Sequence, residues 1–126
     1  MTAMLEHTNF TVSDVTKTTE WMTKVFDWQI RWQGPAIDGG HTVHIGTDTQ
    51  YLALYQSAHA VKAKPNTHVT KGGMNHIAMV VENITDVEKR VKASGFAPHS
   101  HDDYEPGKRF YFRDHDEIEF EVVQYD

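Results

Sequence analysis

The sequence predicts an α+β fold of two tandem βαβββ modules whose curved mixed sheets enclose a central cavity, and three observations carry that expectation. Runs of alternating apolar and polar residues, the mark of half-buried strands, flank two stretches with helical spacing. The order of these runs repeats. The pattern from His7 to Val12 falls on that from His76 to Val81, a shift of 69 residues, and Trp28 falls on Phe96, a shift of 68; a near-constant shift is an internal duplication, visible in pattern rather than identity. Finally, each module buries one sheet face under its helix, and the opposite faces receive His7, Asn9, His76 and the acidic positions of the last strand. Polar residues on a face that closes over a cavity need a chemical reason.

The elements follow in order. Met4 to Val12 alternates, with Phe10 and Val12 on one face and His7, Asn9 and Thr11 on the other, and predicts a strand. Ser13-Asp14 offers an N-cap, after which Val15, Met22, Val25 and Phe26 recur at near-helical spacing up to Asp27-Trp28. Three strands are predicted next, over Trp28–Gln33, His41–Gly46 and Tyr51–Gln56, with Gly34-Pro35, Gly39-Gly40 and Thr47-Asp48 supplying turn chemistry. Residues 57–72 lose periodicity, carry lysines, small residues and Pro65, and read as a linker. The pattern then restarts with a strand over Met74–Glu82, Asn83 as cap, a helical stripe of Ile84, Val87 and Val91, and Gly95 where the helix should end. Strand-like runs close the chain at Phe96–Ser100, Arg109–Arg113 and Ile118–Gln124. The expected organisation is one domain over 1–126, with module one at about 4–56 and module two at about 73–125.

Composition narrows the partners. With 39% hydrophobic and 24% charged residues the chain is globular in type. It has no cysteine, so disulfides, thiolate ligands and cysteine nucleophiles are absent together and any metal falls to His, Asp and Glu. A net charge of −6 without a Lys/Arg cluster argues against nucleic acid. The opening MTAMLEHTNF lacks a basic and an apolar leader region, and no run approaches the ~20 apolar residues of a bilayer span, so a cytoplasmic protein with no membrane partner is expected.

The stretches HTNFTVSDVTKTTEWMTKVFDW, GGMNHIAMVVENI and FYFRDHDEIEFEVVQY, in that order and spacing, resemble the vicinal oxygen chelate superfamily, which holds glyoxalase I, extradiol dioxygenases, fosfomycin-resistance enzymes and bleomycin-binding proteins. The resemblance spans nearly the whole chain and implies a glyoxalase-like fold. It also implies metal ligands on the first and last strands of each module: His7, a residue within Tyr51–Tyr55, His76 and the glutamate of the last strand. Family members often read Asp-Pro-Asp-Gly, three residues, then the ligand; counting from Asp114 puts Glu121 there, with Glu119 the nearby rival. The departure is Ala53, which stands where glyoxalase I-like members carry a carboxylate. What remains, His7, His76 and Glu121, is a two-histidine, one-carboxylate set that leaves coordination positions open and suits one divalent ion, Fe, Mn, Ni or Zn.

Around that set, Glu119 and Glu121 share a strand face, so that one ligates and the other is a base or a solvated edge carboxylate. Tyr51, Tyr55 and Tyr111 fall by alternation on the cavity side, where a phenol is both wall and donor, or are ordinary strand aromatics. Arg109 resembles a pocket position able to pair with an anionic substrate group, solvation being its alternative. Asn9 and Ala53 complete the candidate substrate-binding residues. His41 and His44, of opposite parity, and His99 and His101 are read as loop or rim residues. Two functions compete: a metal-dependent lyase, isomerase or ring-cleaving dioxygenase acting on a small oxygenated substrate, and a metal-free small-molecule-binding or resistance protein of the bleomycin-binding type. The family's habit of pairing chains implies a homodimer.

Overall fold

A computed structural model describes every residue from Met1 to Asp126. The chain divides into two compact units, Met1–Lys62 and Ala63–Asp126. The first runs β1 (His7–Thr11), α1 (Val15–Phe26), β2 (Gln29–Pro35), β3 (His41–Gly46) and β4 (Tyr51–Gln56). The second runs β5 (Ile77–Val80), α2 (Ile84–Ala93), β6 (His99–Tyr104), β7 (Gly107–Arg113) and β8 (Glu119–Tyr125). Their sheets share one topology, in the orders β1-β4-β3-β2 and β5-β8-β7-β6, with the first and last strands of each unit parallel and the other pairs antiparallel. The duplicated βαβββ pattern is therefore a duplicated structure.

The same devices hold both units. Asp14 caps α1 by accepting from Lys17 N, and Asn83 caps α2 by accepting from Asp86 N, each satisfying one of the first-turn donors a helix leaves unpaired. A second such donor in each helix is met from the far end of the unit: Val15 N donates to Gln56 Oε1 and Ile84 N to Gln124 Oε1, both at 2.8 Å. The two glutamines are the repeat's own equivalents, 68 residues apart. Alternation then sorts the faces. In the first unit Trp21, Met22 and Val25 of α1 are buried with Val43, Ile45, Leu52 and Leu54 of β3 and β4. In the second, Val87 and Val91 of α2 are buried with Phe110, Phe112, Phe120 and Val122 of β7 and β8. Each of these side chains contributes about 1.5–3 kcal/mol by leaving water. Neither helix is long and apolar enough to cross a membrane.

Several boundaries differ from the expectation. β1 begins at His7 rather than Met4, because Met4 and Leu5 are exposed and no strand partner faces them. β2 runs through Gly34-Pro35 instead of turning there; it is an outer strand, where proline's missing N–H costs no ladder bond, and the turn falls at Ile37–Gly39. Phe96 is not in a strand, since its N–H bonds back to Val91 O and finishes α2, while β6 starts three residues later. Residues 101–108, which fall between two predicted strands, are the arms of the β6–β7 hairpin around Glu105-Pro106. Two of the four outer strands, β2 and β6, carry a register irregularity, between Ile30 and Trp32 and between His99 and Asp102.

Candidate functional site

In the second unit, the face of β8 away from α2 centres on Glu121, a buried carboxylate. Register explains its neighbours. Glu121 lies opposite Tyr111 on β7 and Ala78 on β5, and two residues before Ala78, just ahead of β5, His76 points to the same face. His76 Nε2 stands 3.2 Å from Glu121 Oε1, and the Tyr111 hydroxyl donates to that same oxygen at 3.1 Å. Arg109 takes the other oxygen, Nη1 to Oε2 at 3.0 Å, and its guanidinium lies over the Tyr104 ring. Burial, followed by the hydrogen bond to Glu121, pushes the Tyr111 phenol above its ordinary pKa, so it remains a protonated donor. Glu119, on the same face, is set differently: His99 and Arg113 approach it only to 3.6 Å, and neither His76 nor Tyr111 reaches it. Of the two rivals, Glu121 is the one gathered with His76.

In the first unit, the face away from α1 carries His7, Asn9, Tyr51, Ala53 and Tyr55. The register pairs His7 with Tyr51 and Asn9 with Ala53. The His7 ring stacks on Tyr51 at 4.8 Å, and Glu6 accepts from both the His7 ring and the Tyr51 hydroxyl. These two hydrogen bonds, His7's first, lower the Glu6 pKa. Tyr55 is occupied elsewhere, its hydroxyl donating to Ile37 O at 2.8 Å.

His44, read as a rim residue, is the group the sequence reading missed. It lies directly opposite Ala53 across β3 and β4, on the His7 face, with its ring 4.7 Å from Tyr51, 5.1 Å from Trp32 and 6.5 Å from His7. Desolvation, helped by the charges of His7 and Arg31, lowers its pKa, so near neutrality the imidazole is uncharged and one ring nitrogen keeps its lone pair. His41, three residues earlier and of opposite parity, meets Gln33 instead. The signal that would have found His44 is pairing with β4, since Ala53 had already been placed on the site face. His99 and His101 also lie in a strand, β6, the latter bonded to Glu88 of α2.

As a donor set, imidazole nitrogen and carboxylate oxygen suit a first-row divalent metal. His76 Nε2 and Glu121 Oε1 are spaced as two atoms bound to one cation at about 2.0–2.2 Å are spaced. His76 and Glu121 thus offer two donors of the kind such an ion takes.

Residues 4–122 match the family model described as Glyoxalase/Bleomycin resistance protein/Dioxygenase superfamily. None of the curated proteins matches the chain. Among solved structures, a glyoxylase/bleomycin resistance protein/dioxygenase domain from Frankia sp. EAN1pec is similar with a TM-score of 0.83 at 22% identity, covering 100% of both chains. A glyoxalase family protein from Enterococcus faecalis gives 0.77 at 19% identity, over 95% of this chain and 96% of that one. The fosfomycin resistance protein FosX from Listeria monocytogenes gives 0.76 at 18% identity, over 100% and 96%; structures of it have been solved with Mn(II) and sulfate and, as a glutamate-to-glutamine mutant, with Mn(II) and 1S,2S-dihydroxypropylphosphonic acid. At these identities the structures share the fold.

Proposed function

The chain belongs to the Glyoxalase/Bleomycin resistance protein/Dioxygenase superfamily, and from that premise we propose that it is a metal-dependent enzyme acting on a small oxygenated molecule by lyase, isomerase or ring-cleaving dioxygenase chemistry. The observation that carries the reading is the gathering of His76, Tyr111 and Arg109 on the buried carboxylate of Glu121. Glu121 and His76 would hold one divalent ion. When bound, that ion supplies Lewis acidity toward adjacent substrate oxygens.

The chain's own residues do the rest. Arg109 and Tyr111 fix the carboxylate from both oxygens, the outer-shell support that orients a ligand and tunes its basicity. His44, uncharged and beside Ala53, offers an acceptor for a proton leaving a substrate carbon or water. Tyr51, Asn9 and Trp32 supply wall and hydrogen bonds on the same face. Ala53 contributes no ligand and leaves room where a carboxylate would crowd the substrate.

The test is metal content and turnover together. Freshly purified protein should carry a tightly held divalent ion, chelation should remove it, and Glu121→Gln should regain one ion per chain fewer than wild type. Full retention of ion by the His76→Ala and Glu121→Gln variants would end the reading.

A metal-free binding protein is the second reading, favoured by one observation: each oxygen of Glu121 already accepts a hydrogen bond, from Arg109 and from Tyr111. It predicts ligand affinity unchanged by chelator. We also propose that the two units form one glyoxalase-like domain and that chains pair as a homodimer; sedimentation equilibrium at micromolar concentration should return twice 14.5 kDa, and a mass of one chain would exclude the pairing.

A further inference from the structure

We propose that the turn between β7 and β8, Asp114-His115-Asp116, is a second divalent-cation site, distinct from the Glu121 cluster. A carboxylate oxygen of Asp114, a ring nitrogen of His115 and a carboxylate oxygen of Asp116 lie within 4.8 Å of one another. Proximity alone would describe many acidic turns. What sets this one apart is Asp114, only 3% exposed. Its Oδ1 accepts from Asp116 N at 2.9 Å and Ile118 N at 3.1 Å. Its Oδ2 is buried beside them with no hydrogen-bond partner. Buried carboxylate oxygens are seldom left without a donor or a cation.

The neighbours have the chemistry to supply the cation's remaining ligands. His115 Nε2 and Asp116 Oδ2 stand 3.7 Å apart, too far for a hydrogen bond and close to the separation of two atoms on one metal. Both side chains are partly exposed, leaving an entry path and room for water ligands. One imidazole with two carboxylates favours Mn²⁺, Co²⁺, Ni²⁺ or Zn²⁺ over Ca²⁺ and Mg²⁺. The ion neutralises Asp114 and fixes the turn from which β8 departs, and with it the start of the strand that carries Glu119 and Glu121.

Two measurements decide it on the full chain, stripped with chelator. Zn²⁺ titrated calorimetrically should lose one equivalent between wild type and His115→Ala, whatever the total, and Asp116→Asn should weaken the same equivalent at least tenfold. In ¹⁵N-labelled Glu121→Gln protein, substoichiometric Mn²⁺ should broaden the Asp116 and Ile118 amides first, and His115→Ala should abolish that broadening. Equal Zn²⁺ stoichiometry in wild type and His115→Ala, or amides of residues 114–118 that stay sharp while others broaden, would overturn the proposal.

Discussion

Three substitutions on one face of β8 and β7 should rank metal affinity in an order the geometry dictates. Glu121→Gln removes an anionic ligand while leaving an amide whose one oxygen still accepts from Arg109 and whose NH2 can donate to the Tyr111 hydroxyl oxygen, so the fold is retained and the ion is lost. Tyr111→Phe removes only the hydroxyl that donates to Glu121 Oε1 at 3.1 Å. Loss of such an outer-shell partner typically costs about 10–100-fold in metal affinity, which at 25 °C is about 1.4–2.8 kcal/mol. Glu121→Gln should exceed that range. Glu119→Gln touches a carboxylate whose nearest cationic neighbours stay at 3.6 Å, and exposed or loosely paired ions contribute little; its effect should stay within about threefold, roughly 0.6 kcal/mol. Competition against a fluorescent chelator, with Zn²⁺ and with Mn²⁺, reads all three, and the His115→Ala background removes the proposed turn site from the signal. Far-ultraviolet dichroism guards against unfolded variants. Should Glu119→Gln lose as much affinity as Glu121→Gln, or Tyr111→Phe lose none, the assignment of Glu121 as the ligand braced by Tyr111 is wrong.

The twin glutamines allow a second comparison. Gln56→Ala strands the N–H of buried Val15 and should cost about 1–3 kcal/mol, whereas Gln124→Ala exposes the N–H of half-buried Ile84 to water and should cost about 0.5–1.5 kcal/mol; urea unfolding that reverses the order contradicts the burial reasoning. Burial raises the Asp114 pKa even against the two backbone donors that lower it. A carboxyl whose folded pKa lies above its unfolded value of about 3.9 contributes stability that is complete below that pH and is lost as pH rises through the raised value. Chelator-treated wild type should therefore lose stability relative to Asp114→Asn across that window, and parallel stability curves would refute it.

The scaffold could be read from the sequence because its rules are local. Caps at Asp14 and Asn83, the apolar stripes of both helices and the alternation of β3, β4 and β8 each depend on residues within a few positions of one another. That Glu121 and His76 would meet on one face was legible through family spacing from Asp114 and through the repeat. What failed depended on partners far along the chain. Alternation told His41 from His44 but could not say which of them faced the site, since that follows from β3 pairing with β4 in one particular register. Pro35 looks like a turn until β2 is known to be an outer strand. Phe96 looks like a strand residue until its N–H is seen closing α2. Arg109 resembles a pocket position in sequence, but only the fold brings it to Glu121, twelve residues on.

The irregularities in β2 and β6 bear on how the chain behaves in a crowded solution. A regular outer strand presents a row of unpaired amides and carbonyls that another polypeptide can extend, the first step toward strand-mediated aggregation. Here both hairpin-side edges are interrupted, near Arg31 in one unit and near Ser100, at φ 55°, in the other. The extra residue breaks the ladder and turns the edge out of plane, so an incoming strand meets no continuous template. Deleting Arg31 or Ser100 would restore unbroken pairing within the sheet and, by the same stroke, open an edge on which other chains could grow.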